Sequence, residues 1–197
     1  MKYSQTLLRT FILVIIFTIS GHGQNNSNPT FVIVHGAWGG GWAFKEVDSI
    51  LSSQGAKIYR PTLTGQGEKV HLATTDVGLD THILDIVNVI LFEELDNIIL
   101  VGHSYGGMVI TGVADRVPER IQKIIYTDAF VPDNGESVNS IRGSQPNQKR
   151  LTTGYIPASW VSKDAPYPKD VPHPYKTWTD TISLNNKLRL EIPTTYI

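Results

Sequence analysis

Asn97-Ile98-Ile99-Leu100-Val101-Gly102-His103-Ser104-Tyr105-Gly106-Gly107-Met108-Val109 is the stretch from which the fold is read. Its first half is a short apolar run of the kind that forms a strand buried on both faces of a parallel sheet. Its second half opens a helix predicted to run from Tyr105 to about Val117 and to stop before Pro118. Between them lies Gly102-His103-Ser104-Tyr105-Gly106, a G-x-S-x-G on a strand-to-helix turn. So tight a turn forces the serine into a strained backbone conformation and exposes its hydroxyl, while Gly102 and Gly106 lack the Cβ atoms that would collide as strand and helix approach. A serine hydroxyl is a poor nucleophile unless it is held exposed, near a base and near donors for a developing oxyanion. Ser104 is therefore the candidate nucleophile. A glycine-rich turn with an incidental serine is the alternative, and the flanking strand and helix argue against it.

Upstream, Phe31-Val32-Ile33-Val34 reads as another buried strand, ending at the loop His35-Gly36-Ala37-Trp38-Gly39-Gly40-Gly41-Trp42. A loop in that position can supply the second donor of an oxyanion hole, so the backbone N–H groups of Ala37 and Tyr105 are the candidate pair. His35 is expected to hold the loop through a side-chain hydrogen bond. Residues 42–54 read as a helix with Trp42, Phe44, Val47, Ile50 and Leu51 mostly at helical spacing and Gly55 as its cap. Lys57-Ile58-Tyr59-Arg60 reads as a strand stopped by Pro61, and the Thr- and Gly-rich residues 62–75 as a surface loop. Residues 77–95 place Leu79, Ile83, Ile86, Val87, Ile90, Leu91 and Leu95 on one helical face, and residues 121–126 form a fourth strand. This alternation implies an α/β fold with an open, mostly parallel sheet and helices on both faces.

After Phe130 come prolines at 132, 146, 157, 166, 168, 172, 174 and 193 and little sustained period. Trp160, Tyr167, Tyr175 and Trp178 argue that residues 130–190 form a packed lid and not a disordered tract. With Trp38, Trp42 and Tyr105 they suggest a largely apolar substrate pocket. Thr194-Thr195-Tyr196-Ile197 reads as the opening of a fifth strand.

The chain of 197 residues has a formal net charge of −1 and no basic block, which sets nucleic-acid partners aside. It has no cysteine, so thiol nucleophiles, disulfides and thiolate metal sites are excluded, and its six histidines show no metal-ligand spacing. No phosphate-binding glycine motif is present, and no cofactor is expected. Lys2 and Arg9 precede a short apolar run at residues 11–19, and Gly21-His22-Gly23 offers a small-x-small cleavage pattern. Residues 1–23 are expected to be a signal peptide and 24–30 a flexible start of a secreted or periplasmic mature chain without stable membrane insertion; an uncleaved anchor is the alternative.

His35-Gly36-Ala37-Trp38 with Gly41-Trp42, residues 60–68, residues 102–109, Pro118-Glu119-Arg120-Ile121 and Asp128-Ala129-Phe130-Val131-Pro132 together resemble the esterase and hydroxynitrile lyase-like branch of the α/β-hydrolases. Plant methylesterases and bacterial carboxylesterases, including pyrethroid hydrolases, belong to it. The similarity is dense from Phe31 to about Ser137 and thin through the lid. It implies an α/β-hydrolase domain over residues 31–197 whose first strand corresponds to the third of larger hydrolases, acting on a small-molecule carboxylic ester. It also implies that the catalytic acid follows the strand begun by Tyr196-Ile197 and that the histidine lies further on. The expectation is thus a chain incomplete at its C-terminus, with the last strands missing and neither group present. Asp128, just after the fourth strand, and His173, on a proline-flanked loop expected to be exposed, are the substitutes within the chain. His71 and His82 resemble positions that shape structure, and the His103 side chain is expected to point away from Ser104. Cyanohydrin cleavage, and a non-catalytic remnant or binding module, are the alternative functions.

Overall fold

Apolar runs of four to six residues, too short for helices, satisfy their backbone groups by pairing side by side under a cover of helices. The computed structural model describes residues 28–197, so the expected signal peptide lies outside the described residues. The strands are β1 (Thr30–Val34), β2 (Lys57–Tyr59), β3 (Ile98–His103), β4 (Ile121–Thr127), β5 (Tyr155–Ile156), β6 (His173–Pro174) and β7 (Thr194–Tyr196). Five of them form one sheet in the order β2-β1-β3-β4-β7, with every pairing parallel. The helices are α1 (Lys45–Ser53), α2 (Leu79–Phe92), α3 (Gly106–Arg116), α4 (Val138–Ile141), α5 (Gln148–Thr153) and α6 (Lys176–Thr179). No helix among the described residues is long and apolar enough to cross a membrane.

The chain lays β2 on one side of β1 and then returns to place β3 on the other. The two crossovers diverge there, opening a crevice beyond the C-terminal ends of β1 and β3, where ligands of open parallel sheets bind. His35 leaves one of these ends and Ser104 the other.

One sheet face carries the main core. Ile98 and Leu100 of β3 are fully buried beside Ile83, Ile86 and Ile90 of α2 and Met108, Val109 and Ile110 of α3. The two helices meet at Gly112, where a Cβ would lie 2.8 Å from Ile83 Cγ1. The alternate residues Ile99, Val101 and His103 are only half-buried, so β3 is not buried on both faces as expected.

Helix α1 explains part of that difference. None of its residues is buried, and Val47 and Ile50 are 40% and 58% exposed. The expected apolar stripe fails because Gly41–Phe44 form a 3₁₀ turn, whose three-residue period takes Trp42 and Phe44 out of phase with α1. Gly55, at φ 92°, does cap the helix end. Leu91 of α2 is also exposed, whereas Val77 and Leu95 are buried just outside the helix. Residues 62–75 are more than a surface loop, since Thr62, Leu63 and Gln66 are buried and Gly67–Leu72 form a 3₁₀ helix. The expected fifth strand is present as β7, paired with β4. The lid region holds α4, α5, the β5–β6 pair and α6.

A Cβ at Gly106 would lie 2.6 Å from the Val34 carbonyl oxygen and 2.9 Å from that of His35, both rigid backbone. Gly106→Ala should therefore destabilise the fold by about 1–3 kcal/mol or more. Gly39→Ala, whose Cβ would meet its nearest neighbours at 3.9 Å, should change the urea midpoint little. Equal midpoints for the two variants would contradict this packing.

Candidate functional site

Ser104 sits on the turn between β3 and α3 at φ 51°, a left-handed conformation that costs a non-glycine residue about 1–2 kcal/mol. Surrounding backbone holds it there. Its N–H donates to the Thr127 carbonyl (3.3 Å), and its carbonyl accepts from Gly107 (3.1 Å) and Phe130 (3.1 Å). Trp38 at φ 66° and Asp128 at φ 41° are strained in the same way on the two flanking loops. Such concentrations of strain mark sites whose surroundings over-determine the backbone.

The loop after β1 presses on the turn. A Cβ at Gly36 would lie 3.1 Å from Ser104 Cβ, which leaves the next peptide, that of Ala37, beside the serine. Among the described residues neither the Ala37 N–H nor the Tyr105 N–H donates to a protein acceptor. Ser104 Oγ likewise makes no hydrogen bond there. Two unpaired donors flanking a half-buried serine can receive a developing negative charge.

His35 fixes the loop, as its position suggested. Leu63 N–H donates to its Nε2 (3.0 Å), so Nδ1 carries the proton and donates to the Gly36 carbonyl (2.7 Å). Burial pulls its pKa down to about 4. Farther along, Gly41 N–H donates to Thr62 Oγ1 (2.8 Å), whose hydroxyl donates to Glu68 (2.9 Å).

Beneath the serine runs a polar chain that the sequence reading did not anticipate. Tyr105 is fully buried, so its side chain is core and not pocket wall. Its hydroxyl meets His82 Nδ1 (2.9 Å), and His82 Nε2 donates to the Thr64 carbonyl (2.9 Å). The Tyr105 ring packs edge-on against His173 at 4.9 Å. His173, expected to be exposed, is fully buried. Its Nδ1 lies 3.0 Å from Gln66 Oε1 and 3.3 Å from the Trp38 amide, and its Nε2 lies 2.8 Å from Thr177 Oγ1. Nδ1 thus ties the lid to the loop after β1 and to Gln66, while Nε2 is engaged within the lid by Thr177. Its prolines fix a backbone that packs inward through β6, which local sequence does not reveal. The signal for His82 was legible, since it shares a helical face with Leu79, Ile83 and Ile86.

Asp128 is exposed, and its N–H donates to the Ile197 carbonyl (2.9 Å). Neither Asp128 nor His173 hydrogen-bonds Ser104, so the structure does not assemble these substitutes into a triad. His103 packs against Phe44 with ring centroids 6.3 Å apart, and His71 is exposed. No cluster of three or more His, Asp or Glu among the described residues is placed to hold a metal.

The expected common pocket is divided. Trp38 lines a cleft with Trp160, Tyr175 and Trp178, whereas Trp42 lines a separate one with Lys45, Val70 and Tyr167. The three glycines between the two indoles let the chain turn away, and Trp42 packs on Gly40 and Gly67 instead.

Burial also holds the pKa of His82 near 4 and that of His173 well below its usual value. The unfolded chain, with histidines near 6.5, then binds more protons than the folded one between those values. Stability from the neutral rings is complete above about pH 6.5 and falls as pH drops toward 4, by about 3 kcal/mol each for His35 and His82 taken independently, with His173 acting in the same direction. Urea midpoints should decline from pH 6.5 to 5, before most carboxylates titrate. A flat profile in that window would sink this account.

Over 111 residues the chain is 51% identical to a carbendazim hydrolyzing esterase of Nocardioides sp. (strain SG-4G), covering 56% of this chain and 46% of that protein. It is 26% identical over 137 residues to methylesterase 2 of Arabidopsis thaliana, covering 68% of this chain and 49% of that one. The chain thus spans about half the length of the curated relatives it matches. Its fold is similar to that of an extracellular alpha/beta-hydrolase from a Paenibacillus species, with a TM-score of 0.69, 27% identity, and coverage of 85% of this chain and 76% of that one. The match to the family profile runs from residue 31, in β1, through the serine turn and the lid to residue 193, just before β7, and by it this chain belongs to the alpha/beta hydrolase family.

Proposed function

We propose that Ser104 is the nucleophile of an esterase acting on small-molecule carboxylic esters. The observation that carries the reading is the meeting of a left-handed, half-buried serine with two unpaired backbone donors, Ala37 and Tyr105. Ser104 Oγ attacks the ester carbonyl and gives its proton to a general base. The carbonyl oxygen, now negative, receives the two N–H groups, each worth ~3 kcal/mol in the transition state when properly placed. The tetrahedral species collapses, and the leaving alcohol takes the proton from the base. Water then attacks the acyl-enzyme, returning the proton to Ser104 and releasing the acid. No histidine or carboxylate among the described residues hydrogen-bonds Ser104, so the reading concerns the nucleophile and oxyanion donors that this chain holds. Export belongs to the same proposal, supported by Lys2, Arg9 and the apolar residues 11–19.

A second reading, a binding protein without turnover, is favoured by the engagement of both His173 nitrogens away from the serine. The two readings part on covalent chemistry. Folded protein incubated with p-nitrophenyl acetate should release nitrophenol and carry an acetyl group on Ser104 by peptide mass spectrometry. Both signals should vanish in Ser104→Ala. Folded protein that gains no Ser104 adduct even when imidazole is added as an external base would overturn the esterase reading.

A further inference from the structure

We infer that the outer rim of the lid docks on an anionic lipid surface. Two of the lid's aromatic side chains face water. Trp160 is 59% exposed and Tyr167 79%, although rings of that size gain most from leaving water. Leu151, next to Arg150 on α5, is half exposed as well.

Hydrogen bonds close the segment that carries the two rings. Trp160 Nε1 donates to Asp170 (2.9 Å), and Lys169 Nζ donates to the Lys163 carbonyl (3.0 Å) while lying 5.0 Å from the centre of the Tyr167 ring. The Val161 N–H donates to the Ala158 carbonyl (3.0 Å) and the Ala165 N–H to that of Ser162 (3.1 Å). The rings are thus presented from an ordered turn, at no cost of ordering the chain on contact.

Cations surround them. Trp160, Arg150 and Pro157 line the cleft beside Trp38, and Arg150 and Pro157 with Lys149 line a mostly apolar cleft next to it. Tyr167 and Lys169 line the cleft at Trp42. Shared walls join the first two clefts, and the bond from Trp160 to Asp170, the neighbour of Lys169, joins them to the third. Residues 137–170 hold Arg142, Lys149, Arg150, Lys163 and Lys169 against Asp164 and Asp170, in a chain whose net charge is −1. None of these cations is ion-paired among the described residues, and Asp170 is engaged by the Trp160 indole.

Trp and Tyr rings ringed by Lys and Arg match a lipid–water boundary. The rings settle at the level of the headgroups, the long stems cover apolar surface, and the charged ends meet anionic headgroups. Three of the five cations are lysines, a residue depleted from protein–protein interfaces, which favours lipid over a protein partner. Such docking is peripheral and reversible, so it needs no spanning helix. The inference goes beyond the esterase reading and does not require turnover.

Co-sedimentation of the full chain with vesicles tests it. Vesicles of equal parts phosphatidylcholine and phosphatidylglycerol should bind the chain about tenfold or more tightly than phosphatidylcholine alone, and added salt should weaken the binding. Lys163→Gln, Lys169→Gln and Tyr167→Ser should each lower the partition coefficient about fivefold. Lys57→Gln, at the start of β2 and so at the opposite end of the strands, should leave it unchanged. Lipids brominated on their acyl chains should quench tryptophan emission in the parent and much less in Trp160→Phe. Residues 1–27 contain no tryptophan, so this signal is separate from any binding through the apolar residues 11–19. Equal binding to the two kinds of vesicle, pelleting without vesicles, folded rim variants that bind like the parent, or binding without quenching would each overturn the proposal. If a rim variant does not fold, quenching in the parent and in Trp160→Phe decides it. A failure of the esterase reading would appear separately, as absent acetylation of Ser104.

Discussion

The site depends on the contact of three backbones at the C-terminal ends of β1 and β3. Gly106, at the start of α3, touches the carbonyls of Val34 and His35, and Gly36 touches Ser104. Gly106 meets those carbonyls main chain against main chain, while at Gly36 the loop after β1 rests on the His103 ring and on Ser104 Cβ, so the spacing between serine and loop has little room to vary. Main-chain contacts have no rotamers through which to relax, which gives such a spacing a precision that side-chain packing seldom has. The strain at Ser104, Trp38 and Asp128 is the local cost, offset by the core that α2 and α3 form on one face of the sheet.

Below that contact, the histidines act as neutral connectors. His35 ties the loop to Leu63, His82 ties Tyr105 to Thr64, and His173 ties the lid to both Gln66 and Trp38. An imidazole can donate from one nitrogen and accept at the other, so each ring joins two chain segments without burying a charge. The lid, the loop after β1 and the N-terminal end of α3 are therefore one hydrogen-bonded unit, although they lie far apart in sequence.

Much of this was legible from short-range pattern. Four apolar runs, the G-x-S-x-G turn and the glycine loop located the sheet, its parallel sense and Ser104, because each is a local feature with a local physical cause. The phase of α1 was not legible, since one 3₁₀ turn shifts every residue after it. The inward packing of His173 depends on a pairing between β5 and β6 across sixteen intervening residues, which no window of sequence displays. Trp38 and Trp42 look equivalent in the sequence as neighbours of a glycine run, and only the path of the chain through that run shows that they face different clefts. The polar chain through Tyr105 escaped notice because a tyrosine beside the serine suggests a pocket, whereas the helix turns it into the core.

The stacking of Trp38 against Trp160 and Trp178 has a spectroscopic consequence. Three of the chain's four tryptophans stand edge to face in one cluster, one contributed by the loop after β1 and two by the lid. Indole transitions held that close in a fixed chiral arrangement couple to one another, so the near-ultraviolet circular dichroism of this protein is dominated by a single junction. Its intensity is a built-in optical gauge of whether lid and loop are joined, readable without any added label.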